Sequence, residues 1–113
     1  MPGSYGNYNL YRAGNSSYIT YAGTSETVSL PVGTTAITLT ASSKCWINIS
    51  SPGKAAVAAA PSGEKVWIQD SFPLNAGETI TVSVPASTEA NIVGLAVIQD
   101  STGGTLDIIA RNE

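Results

Sequence analysis

The sequence predicts an all-β protein: a small antiparallel β-sandwich or jelly-roll-like barrel of about seven or eight strands, with an extended N-terminal arm. Three observations carry this expectation. Apolar and hydroxyl-bearing side chains alternate along short runs. Glycine and proline, 11 and 6 in number, gather in clusters between those runs. All five tyrosines, Tyr5, Tyr8, Tyr11, Tyr18 and Tyr21, precede residue 22 in a stretch otherwise rich in Gly, Asn and Ser.

The arm comes first. Residues 1–17 carry almost no aliphatic side chains and cannot fold alone around a core. Tyr5, Tyr8 and Tyr11 recur every third residue between Gly6, Asn7 and Asn9, which are weak helix formers, so an extended backbone suits them better than a helix. Protein-binding loops use the same mixture of Tyr, Ser, Gly and Asn, combining large contact area with adaptable hydrogen bonds. The division expected is therefore an arm over residues 1–22 and one β-sandwich domain over residues 23–113. A chain of 113 residues has room for a single core.

The strands follow. In residues 35–41, Ile37 and Leu39 fall on one side and Thr38 and Thr40 on the other. The same alternation recurs in residues 45–50, 79–84, 93–99 and 105–110, and more weakly in residues 26–30 and 65–69. Turn clusters separate these seven runs: Pro31-Val-Gly33, Ser51-Pro-Gly53, Pro61-Ser-Gly63, Asn75-Ala-Gly77 and Ser101-Thr-Gly-Gly104. The alanine-rich run Lys54-Ala-Ala-Val-Ala-Ala-Ala60 reads equally as a short helix or a small-residue strand, and Pro52 and Pro61 limit its length.

Composition narrows the function. Charged residues make up 12%, against about 25% in ordinary domains, and the formal charge is −3. Nothing in that balance steers the chain toward nucleic acid or anionic membrane. No run approaches the roughly 20 apolar residues of a membrane helix, and the first residues lack a basic start and an apolar run, so a cytoplasmic site of synthesis and assembly is expected. Histidine is absent and Cys45 is the single cysteine, which leaves no Ser-His-Asp or Cys-His constellation and no internal disulfide.

The same sparseness of charge extends to individual residues. The carboxylates Glu64, Asp70, Glu78, Asp100 and Asp107 are scattered, and solvated surface groups are the expected reading, rather than a glycosidase pair or a calcium cage. Cys45 shares the parity of Ile47 and Ile49, which predicts a buried thiol rather than a nucleophile. Trp46 sits on the opposite parity from Ile47 and Ile49, and Trp67 on the opposite parity from Val66 and Ile68. If those aliphatic residues point inward, both indoles point out, toward a subunit, toward a ligand, or under a covering segment. The sequons at Asn15 and Asn48 read as chance matches. No catalytic residue, metal site or cofactor is expected.

The run from Leu30 to Ile49, with Thr-Ala at residues 40–41 and Cys-Trp at residues 45–46, the turn Phe72-Pro-Leu-Asn-Ala-Gly-Glu78, and Gly103-Gly-Thr-Leu-Asp-Ile108 together resemble small single-domain virion proteins of tailed bacteriophages over residues 28–110. The tyrosine-rich start does not belong to that pattern. The resemblance implies a head decoration or cement protein on the outer surface of the capsid, a homo-oligomer, expected as a trimer, bound to the major capsid protein. The partner-binding residues expected are Tyr5, Tyr8, Tyr11, Arg12, Tyr18, Tyr21, Trp46 and Trp67. The alternative is a carbohydrate-binding module of a phage tail or receptor-binding fibre, with Trp46 and Trp67 as stacking platforms.

Overall fold

A computed structural model describes residues 15–112. It holds eight strands: β1 (Asn15–Tyr21), β2 (Glu26–Ser29), β3 (Ala36–Ala41), β4 (Cys45–Ile49), β5 (Phe72–Leu74), β6 (Thr79–Ser83), β7 (Gly94–Gln99) and β8 (Gly104–Arg111). They form two antiparallel four-stranded sheets, in the order β1-β8-β3-β6 and β2-β7-β4-β5. The nested pairs β1 with β8, β2 with β7, β3 with β6 and β4 with β5 are those of one long hairpin rolled into two sheets, which is the jelly-roll wrapping. The all-β sandwich expected from alternation is the fold observed.

Alternation places the core. Ile37 and Leu39 of β3 and Leu106 and Ile108 of β8 face Ile47 of β4 and Leu95 and Val97 of β7 across the sandwich, all buried. Their hydroxyl-bearing neighbours Thr38, Thr40, Thr79 and Thr81 lie on the outer side of the first sheet, where Thr38 meets Thr81 at 2.9 Å and Thr40 meets Thr79 at 2.8 Å through their hydroxyls. Such cross-strand pairs fix register as well as adding a small stabilisation.

Two expectations about elements need correction. The boundary at residue 22 falls past a strand of the sheet, because Asn15–Tyr21 pairs along its whole length with β8. Polar Asn15, Ser16 and Ser17 hide the alternation of Ile19 and Tyr21, whose side chains point inward. Residues 65–69 are not a strand: Lys65 and Asp70 take φ of 62° and 61°, left-handed values that interrupt an extended chain at both ends. Val66, expected inward, is exposed. The eighth strand is β5, unexpected because it is three residues long and carries Pro73, which an edge position tolerates.

Tyr21 pins one end of the sandwich. Its ring is 1% exposed, and its hydroxyl donates to the Ser43 carbonyl at 2.5 Å while accepting from the Ser43 amide at 3.2 Å. Ser43 in turn donates to the carbonyls of Thr102 and Gly103, which joins the β3–β4 and β7–β8 turns. Gly104 is required beneath this knot, since a Cβ there would collide with the hydroxyls of Ser42, Ser43 and Tyr21. Tyr21 is thus removed from the expected partner-binding set: its burial and its hydrogen bonds make it part of the framework.

Candidate functional site

The long connection between β4 and β5 makes the site. On the outer side of the second sheet, β7 presents Gly94, Ala96 and Ile98, and β4 presents Trp46 and Asn48. Small side chains on β7 let the connection lie close. A Cβ on Gly94 would stand 3.4 Å from that of Ala56, and Ala56 and Ala58 are buried against Ala96 and Ile98. Residues 54–60 are neither helix nor strand. They bury every second alanine while leaving Val57 exposed, so the segment uses the alternation of a strand without pairing as one.

Side chains take the place of a ladder in holding that segment. The Val57 amide donates to Asn48 Oδ1 at 3.0 Å, the Ala58 amide to Ser25 Oγ at 3.0 Å and the Ala59 amide to Ser71 Oγ at 3.2 Å. Asn48 works in both directions, for its Nδ2 donates to the Asp70 carbonyl at 2.6 Å. One buried amide side chain therefore ties the outgoing and returning halves of the connection to the sheet.

Next to this covered area lie both tryptophans. Trp46 points outward from β4 and is half-buried, while Cys45 and Ile47 on either side point into the core. Its Nε1 donates to the Asp100 carboxylate at 2.8 Å, and the Lys44 ammonium stands 5.5 Å from the ring centroid, a cation–π contact. Trp67 is 94% exposed at the head of the residue 65–70 loop. Trp46, Pro61, Lys65, Val66, Trp67, Ile68 and Ser71 line one open groove of about 420 Å³. Both indoles lie outside, as expected, but only Trp46 does so through strand parity. Trp67 is exposed because its loop leaves the sheet.

Of the other expected residues, Tyr18 is 68% exposed on the outer side of the first sheet, in a row with Asp107, Thr40 and Thr79 across all four strands. The two sheets put Tyr18 and the tryptophan groove on opposite faces of the sandwich. Tyr5, Tyr8, Tyr11 and Arg12 lie outside the described residues. Cys45 is buried, and burial pushes its thiol above the ordinary value, with the nearby Tyr21 hydroxyl opposing the shift. The five carboxylates considered above are all exposed: Asp100 accepts from Trp46 and Glu78 from the Asn75 amide at 3.0 Å. Among the described residues, no three of His, Cys, Asp and Glu come together as a metal-holding group.

Sequence reasoning missed the partners that build the groove. Asn48 carried a signal, as a polar residue between Ile47 and Ile49; Asp100 and Ser71 carried none, because their roles depend on contacts remote in the chain. No protein family model, no curated protein and no solved structure matches the chain.

Proposed function

We propose that this protein is a structural virion component, a capsid decoration or cement protein that binds the major capsid protein as a homo-oligomer, a trimer in this reading, on the outer surface of the head. The observation that carries it is Tyr18, whose exposed ring projects from an edge strand opposite Asp107, in a row that continues through Thr40 and Thr79. A large ring at low entropic cost, surrounded by short hydrogen-bonding groups, suits a protein contact. Tyr5, Tyr8, Tyr11 and Arg12 precede this strand in the chain.

Jelly rolls recur in viral capsid and lectin domains, which is compatible with this role but does not assign it. Many copies on a shell would multiply a modest contact into a large effect. No catalytic role enters the reading. Co-sedimentation with capsids of the parent virion tests it: Tyr18→Ala combined with Tyr5→Ser, Tyr8→Ser and Tyr11→Ser should release a folded protein from the shell. Undiminished sedimentation of that variant would refute the proposal.

A further inference from the structure

Shell contact through Tyr18 leaves the opposite face free, and that face holds the chain's two tryptophans in one groove. They are held there by different means. Trp46 is fixed at its edge by the Asp100 carboxylate and on one face by Lys44. Trp67 is thrust into solvent by a loop whose two ends, Lys65 and Asp70, both take left-handed backbone angles that residues with a side chain seldom adopt. Backbone conformations of this kind persist only where surrounding contacts impose them, and they gather at ligand sites. At Asp70 that contact is the hydrogen bond from buried Asn48 to its carbonyl.

The chemistry between the indoles is mixed. Lys65 contributes three donors and Ser71 a hydroxyl that already accepts from the Ala59 amide and still has a proton to donate. A pyranose has the complementary character: an apolar face of C–H groups for an indole, ringed by hydroxyls for such donors and acceptors. A volume of about 420 Å³ admits one or two sugar rings and falls within the range of small-ligand sites, about 300–1,000 Å³. Pinning of Trp46 before binding, and the fixed backbone of the loop that carries Trp67, lower the ordering cost that weakens open sites.

We infer that the Trp46–Trp67 groove binds a short pyranose oligosaccharide, one ring stacked on Trp67 and its hydroxyls meeting Lys65 and Ser71. The site does not depend on capsid binding and would let a shell-bound copy grip a glycan on its outward side.

Both tryptophans lie at the groove, so intrinsic emission of the full-length protein reports occupancy directly. The probes are glucose, galactose, N-acetylglucosamine, lactose, cellobiose and chitobiose in solution, together with an oligosaccharide array. The expected result is a saturable emission change with a probe or with a glycan the array identifies, weakened roughly tenfold or more in Trp67→Ala. That variant should keep the wild-type unfolding midpoint, and Val32→Ser, exposed in a distant turn, should bind normally. Silence across all probes and the array overturns the inference, as does sugar binding undiminished in Trp67→Ala. Failure of Trp67→Ala to stay on capsids, with no sugar response from wild type, assigns the groove to a protein and overturns it equally.

Discussion

The two outer faces of this sandwich begin from the same strand alternation and end with different surfaces. On the first sheet the outward positions of β3 and β6 include four threonines, which bond to each other across the strands, and Tyr18 stands exposed beside them on β1. On the second sheet the outward positions include Gly94 and Ala96, too small to make a surface, and Asn48, which offers both a donor and an acceptor. A segment of chain covers them and carries Trp67 outward. What separates the faces is side-chain size and hydrogen-bonding capacity at three or four positions.

The comparison can be broken most severely through what the faces share. Leu39→Ala removes a fully buried side chain from the core between the sheets and should cost about 2–5 kcal/mol in urea unfolding. A loss as small as that of a surface substitution would mean the sheets do not depend on this packing. The second face alone should respond to Asn48→Ala, which orphans the Val57 amide and the Asp70 carbonyl. The expected cost is about 1–3 kcal/mol, with faster amide exchange at Val57 than in wild type.

On the first face, Thr38→Val with Thr81→Val removes both hydroxyls of one cross-strand pair, and the expected loss is about 0.2–1 kcal/mol with no change at Val57. Trp67→Ala should leave stability within about 0.5 kcal/mol, since its ring is almost wholly in water. A larger loss would show that the indole is part of the cover.

Cys45 gives a pH test of the shared core. Its thiol pKa is raised by burial, so the native state holds its proton where the unfolded state has released it. The contribution is fully present below the unfolded value of 9.0 and is lost as pH climbs from there through the native one. The decline in unfolding free energy over that window should be shallower in Cys45→Ala, measured by urea titration at successive pH values.

Much of this was legible in the chain. Period-two alternation located six of the strands, because the pleat of a strand is a local property and a half-buried sheet repeats it directly. It also placed Cys45 inward and Trp46 outward. β1 was obscured by three polar residues at its start, and β5 by its proline and its length. Residues 65–69 show the reverse error, where alternation was present but left-handed backbone at Lys65 and Asp70 replaced the strand by a loop.

The sequence by itself determined the fold class, the positions of most strands and the side of the sheet on which their residues fall, since all three follow from neighbours two residues apart. Only the tertiary structure decided that Tyr21 is framework and Tyr18 is surface, that the strands roll into nested pairs, and that Trp46 and Trp67 share a groove. Those outcomes rest on contacts such as Trp46 with Asp100, 54 positions apart, and Tyr21 with Ser43, 22 apart. No local pattern encodes such a contact, because it depends on which elements the folded chain brings together.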